Sequence, residues 1–224
     1  MILPVNLQIK TISIDQLKRV HKFDEVLGYC AKCNNFNKNY SCPDFAFDPI
    51  EYLDEFKFAT LILTVVRTDK LKDHIKEFGE KDLESQVQKL HMPVDKDPNY
   101  NISDALAMKC FNKVKDIMAN ELLDVEAHID KGVSSPPGSC TRCLKCTKII
   151  GEECKHPDQL RYSLEALGFL ISELYVKYFD LELEWSMGEI PEAYHSCSAI
   201  FHNEESQAKT INKLMTDNIQ NIII

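Results

Sequence analysis

The residues of this chain with the most chemistry in them are its nine cysteines, spread over 224 residues. Seven of them fall into two groups. Cys30, Cys33 and Cys42 make the first, and Cys140, Cys143, Cys146 and Cys154 the second. Thiolates at such spacing bind soft metal ions or iron–sulfur clusters, or pair as disulfides in an oxidising compartment. The count is odd. The N-terminal run MILPVNLQIK has no basic stretch followed by a long apolar core, so no export signal is expected. A reducing compartment, the cytoplasm, is therefore expected, and there clustered cysteines point to metal binding or catalysis.

The second group is spaced C-x2-C-x2-C-x7-C and is led in by Gly138. Three thiolates at three-residue steps can wrap one face of a [4Fe–4S] cubane. The bacterial ferredoxin run is C-x2-C-x2-C-x3-C-P. The first steps match it; the last does not, and Pro157 follows Cys154 at three residues rather than directly. Seven intervening residues are enough for Cys154 to return to the same cluster. Zinc is the rival, since four thiolates can also close a tetrahedron, though structural zinc prefers two separated ligand pairs. Reduced thiols without metal are the third reading.

The first group, Cys30-Ala-Lys-Cys33 and then Cys42-Pro43, supplies only three thiolates. Three ligands suit a centre with one open position, either a cluster with an exchangeable iron or a catalytic zinc. Cys197, His195 or Cys110 could supply a fourth. Cys110 sits on the apolar face of an expected helix, and Cys197 in a half-buried strand, so both are expected to pack in the core. His195 would share a strand face with Cys197, but a packed or hydrogen-bonded histidine is the simpler reading. His156 is a weak ligand candidate beside Cys154. The open site is favoured.

In the order of Cys30, Cys33, Cys42-Pro43, Gly138, the Cys140/Cys143/Cys146 triple, Cys154, Pro157 and then Arg161, Ser163, Glu165, Ala166 and Gly168, the chain resembles the prokaryotic predicted metal-binding proteins grouped as domain of unknown function 2284. The likeness covers residues 28–170. Two positions depart from the pattern: Asp44 stands for a second proline after Cys42, and Tyr162 for a proline between Arg161 and Ser163. The resemblance implies metal or cluster binding, and no particular substrate. On a helix, Arg161 and Glu165 would be four apart and could pair. Arg161, with Ser163 beside it, could instead donate to a cluster sulfide or a bound anion, orienting the ligand loop and tuning its potential.

These cysteines need a scaffold, and the composition supplies one. Hydrophobic residues make up 44% and charged residues 27%, ordinary for a globular protein. The longest apolar run is short, so no membrane span is expected. The net charge of −9 disfavours nucleic acid and anionic membranes as partners.

The patterns predict a strand over 7–14, a helix over 15–22, a loop over 28–47 and a helix over 49–56 opened by Pro49. Residues 58–67 (FATLILTVVR) form the best strand, apolar enough for the middle of a sheet. One or two amphipathic helices are expected over 70–92. A long helix capped by Ser103 is expected over 104–128. Gly132 to Gly138 should turn into the second cysteine loop. A helix over 158–167 should end at Gly168. A segment over 169–179 is too apolar for a linker, and strands over 180–185 and 193–202 should pair with each other. The last residues, NIII, are oddly apolar for a free end. The whole is expected to be one α+β (or irregular α/β) domain over 1–224, a mixed sheet with flanking helices. Cysteine loops at 28–47 and 138–157 and a helical C-terminal extension over 204–224 complete it.

Three functions compete. One is an iron–sulfur electron-transfer protein or redox component of an anaerobic pathway, docking an unknown redox partner through its acidic surface. Another is an enzyme using the open three-cysteine site on a small substrate. The third is a zinc-stabilised interaction or regulatory module. No P-loop, dinucleotide glycine fingerprint or His-Glu-x-x-His helix is present.

Overall fold

The structure is a computed structural model, and it describes residues 2–77, 102–183, 189–219 and 221–223. Among them five strands form one sheet in the order β3-β4-β2-β1-β5. They are β1 (Ile2–Ser13), β2 (Phe58–Arg67), β3 (Val133–Ser135), β4 (Ala193–His202) and β5 (Asn221–Ile223). The α+β expectation is borne out. The sheet is antiparallel rather than mixed among the described residues, because the long segments between strands return the chain on the same ladder in the opposite sense. Strands 58–67 and 193–202 fall where the sequence puts them, but among the described residues 193–202 pairs with 58–67 and 133–135 rather than with 180–183, in a register that sets Leu63 opposite Cys197.

Helices cover both faces, which is why β2 is rich in apolar residues and why β4 is buried over most of its length although it carries two serines and two histidines. Ile62, Val66 and Ile200 point into one layer with α4 (Asp69–Glu77), α5 (Ile102–Glu126) and α7 (Gln207–Asn218). Leu61, Leu63, Cys197, Ala199 and Phe201 point into the other. That second layer holds α1 (Ile14–Lys18), α3 (Pro49–Leu53), a turn over 164–169 and α6 (Ile171–Phe179). It is also the layer that carries the cysteine segments. The first begins at the end of α2 (Phe23–Cys30) and runs to α3; the second lies between β3 and α6.

Several local expectations change. Cys30 closes a helix instead of lying in a loop. Ser103 lies inside α5 and does not cap it. The helix over 158–167 is replaced by a 3-10 turn, Pro157–Gln159, that ends with Leu160 at ψ 121. The chain is drawn out there because Arg161 reaches across to Glu126 and the Ser135 hydroxyl donates to the Tyr162 carbonyl at 2.8 Å. Residues 180–183 form no strand. Asp180 adopts a left-handed φ of 52°, and the Leu181 N–H caps the Tyr175 carbonyl of α6. The remainder of that expected strand, and of the expected helices over 70–92, lies outside the described residues. The apolar end finds a use as β5, an edge strand on β1. Before it, α7 buries Ile211 and Met215 in the first layer.

Candidate metal centre

The C-x2-C of the first segment sits on a helix end. Cys30 is the last residue of α2, and the Cys33 N–H returns to its carbonyl at 2.9 Å. A three-residue step on such a turn keeps both thiols on one side. The Asn35 N–H points at the Cys33 sulfur at 3.5 Å. Cys42 comes back after a run of turns, and all three thiols line one cavity of about 200 Å³. Cys33 is exposed; Cys30 and Cys42 are half-buried. Burial raises the Cys30 thiol pKa, and the neighbouring Cys33 and Glu165 charges raise it further. Burial also raises Cys42, with Cys33 and Cys30 adding to it, against a hydrogen bond from Ser41 and the nearby Lys148 cation.

The second segment closes as its spacing suggests. After Cys146 comes a 3-10 turn, Thr147–Ile150, ended by Gly151 at φ +72°, a conformation that favours glycine. The buried Thr147 hydroxyl then donates to the Glu153 carbonyl at 2.7 Å and turns the chain back. Cys140, Cys143, Cys146 and Cys154 thereby line a second, narrow cavity of about 20 Å³, with His156 on its wall. Burial raises the Cys140 thiol; Arg142 opposes this and the Cys154 and Cys143 charges add to it. In both segments the thiols wall a cavity rather than meet at a point. Among the described residues no three His, Cys, Asp or Glu side chains are grouped closely enough to hold one metal ion as they stand.

The two segments, about a hundred residues apart in sequence, are stitched together. Asn35 Nδ2 donates to Ser139 Oγ at 3.1 Å, Asn39 Nδ2 to the Cys140 carbonyl at 2.9 Å, and Tyr40 Oη to the Glu152 carbonyl at 2.7 Å. Fully buried Ser41 sits between the cavities. Its hydroxyl accepts the Cys140 N–H at 2.8 Å, donates to Asn39 Oδ1 at 3.1 Å and lies 3.8 Å from the Cys42 sulfur. A second clamp is aromatic. Phe45 and Phe47, just past Cys42, pack on Tyr162 at centroid distances of 5.0 and 5.1 Å, and Tyr52 adds an edge at 5.6 Å. Tyr162, one of the two departures from the family pattern, is thus the ring that joins the exits of both loops.

Arg161 does not pair with Glu165. Its guanidinium forks onto the Glu126 carboxylate, with Nε at 2.8 Å, and donates to the Asp158 and Leu160 carbonyls. Glu126 also accepts the Ser134 N–H at 2.6 Å and hydroxyl at 2.7 Å. Burial pushes the Glu126 carboxyl up, but the Arg161 and Ser134 hydrogen bonds outweigh it and hold it below its usual range. Arg161 therefore ties the segment after Cys154 to α5 and β3. Ser163 lines the first cavity, not the second, and its hydroxyl accepts the Ala166 N–H at 3.2 Å.

Cys197 is fully buried in the second apolar layer and does not line either cavity. His195 stands edge-on to Tyr175 at 6.2 Å, and Cys110 packs against the first layer. Sequence reasoning passed over Ser41 and Asn39 as bridging residues, although their position beside Cys42 is a signal. Glu126, at the far end of a long helix, gave none.

Comparison with curated proteins and with solved structures returned no match. The family comparison agrees with the cysteine pattern: residues 11–200 match the model for DUF2284, described as predicted metal-binding protein, and the chain belongs to that family.

Proposed function

We propose that the chain holds two iron–sulfur clusters and works in the cytoplasm as an electron-transfer protein or redox component of an anaerobic pathway. Cys140, Cys143, Cys146 and Cys154 would hold a [4Fe–4S] cluster, and Cys30, Cys33 and Cys42 a second with one position not filled by thiolate. The observation that carries this is the pair of thiol-lined cavities joined through Ser41. Zinc-bound thiolates at 2.3 Å in a tetrahedron stand about 3.8 Å apart. In the first cavity, of about 200 Å³, thiols that surround a space without converging suit a cluster, which interposes its own iron and sulfide. Bound clusters supply one-electron chemistry. The protein's part is to hold the thiolates, to aim N–H groups such as that of Asn35 at sulfur, and to keep the two centres close.

Leu144, Ile149 and Ile150 are exposed on the second loop. They offer a redox partner an apolar contact beside the cavity, within a chain of net charge −9. Zinc at the second centre is the other reading, and the narrowness of that cavity favours it. An enzyme using the first centre is a third, supported by the roomier cavity and by exposed Cys33.

Protein purified without oxygen is expected to show broad visible absorption that bleaches on reduction with dithionite. A colourless protein that binds zinc alone would overturn the cluster reading.

A further inference from the structure

The first cavity contains an anomaly that the cysteines do not explain. Glu165 lines it together with Cys30, Cys33 and Cys42. Its Oε2 is buried and has no hydrogen-bond partner. A carboxylate oxygen taken out of water without a partner costs several kcal/mol. Burial accordingly pushes the Glu165 carboxyl above its usual range, although its own N–H, the Ser163 hydroxyl and the Lys115 charge favour the ionised form. Lys115 does not cap this oxygen; its Nζ lies 5.4 Å from the Phe111 ring centroid. Burial makes Cys197 and Tyr175 harder to ionise, and the nearby Glu165 charge adds to it.

The backbone is built to hold the carboxylate there. Ser163 caps a single turn, closed by Leu167 N–H to the Ser163 carbonyl at 3.0 Å and Phe169 N–H to the Leu164 carbonyl at 2.9 Å. Gly168 ends it at φ +91°. A Cβ on Gly168 would meet His21 Nε2 at 2.6 Å and Phe23 at 2.8 Å, so the turn is pressed onto the start of α2, the helix that ends in Cys30. One rigid connection thus sets both Cys30 and Glu165 on the same cavity.

We propose that Glu165 is the fourth donor of the first centre, its carboxylate filling the position that Cys30, Cys33 and Cys42 leave open. This rests on the metal reading above and deepens it. A cation there supplies the partner that Oε2 lacks, and iron accepts both thiolate and carboxylate. An oxygen donor among three thiolates makes one iron unlike its neighbours and easier to exchange. Cys197, His195 and Cys110 are then not needed as ligands.

The test is reconstitution with 57Fe and sulfide under argon, followed by iron analysis and Mössbauer spectroscopy of wild type, Glu165→Gln and Glu165→Cys. Wild type is expected to show one distinct iron subsite in the first centre. Glu165→Gln should lose that iron and show the EPR signal of a three-iron cluster on oxidation. Glu165→Cys should recover the iron and lose the distinct subsite. Metal-free Glu165→Gln should melt no lower than wild type, because the amide removes a buried unpaired charge and keeps the shape. Wild-type iron content and spectra in Glu165→Gln would overturn the role of Glu165 while leaving the metal centre standing. Iron content that is the same in wild type and in Cys33→Ala would remove the first centre itself, and with it both readings.

Discussion

Ser41 offers the sharpest test of how the two cysteine segments are joined. Ser41→Ala removes one buried hydroxyl and almost no volume. The Cys140 N–H, now bonded at 2.8 Å, loses its acceptor, and Asn39 Oδ1 loses one of its two donors but keeps the Ser41 N–H at 3.0 Å. Leaving a buried donor unsatisfied costs about 1–3 kcal/mol, so a loss of about 2 kcal/mol is expected for the metal-free protein. In a chain of this size that lowers Tm by about 4–8 °C. The assay is thermal unfolding of the metal-free, fully reduced protein, with wild type alongside. A second consequence follows from the 3.8 Å contact with Cys42, whose thiol the Ser41 hydrogen bond makes easier to ionise. Ser41→Ala should therefore slow alkylation of Cys42 at a fixed pH without removing a ligand. A Tm within about 1 °C of wild type would refute the reasoning, because an N–H that loses its only acceptor cannot cost so little unless the segments are not joined there.

Glu126→Gln breaks the fork to Arg161, whose side chains are 12% and 17% exposed, and should cost about 3 kcal/mol at neutral pH. Because the folded carboxyl titrates below its unfolded value, that stability is present above the unfolded pKa of about 4.3 and is lost as pH falls through the lower folded one, so urea midpoints of mutant and wild type should converge in acid. Gly168→Ala must place a side chain at φ +91° and within 3 Å of His21 and Phe23, which should cost more than about 2 kcal/mol by urea unfolding. Cys143→Ala should lose the metal of the second centre and the stability it adds, while leaving the metal-free melting point nearly unchanged.

The strand at 58–67 was legible in the sequence because both its faces are covered, so its apolar run has no competing pattern, whereas 193–202 was legible from its bounds while its partner was not. The two thiol groups were legible from spacing, since a three-residue step and a seven-residue return fix which cysteines can share a space. The segment around Arg161 was not. Its helical spacing with Glu165 is a local signal, and it lost to a partner on α5, Glu126, that only the topology brings near. Asp180 and Leu181 misled in the same way: an alternating run looks like a strand, yet its first residues are spent closing a helix. The role of Glu165 needed the structure as well, because a missing hydrogen bond has no signature in a string of residues.

Two thiolate-held clusters side by side would show in the iron, acid-labile sulfide and zinc counted per chain in protein purified without oxygen. Iron and sulfide are expected in equal amounts, totalling two four-iron clusters per chain, with little zinc. Stoichiometric zinc with no sulfide would contradict the two-cluster reading.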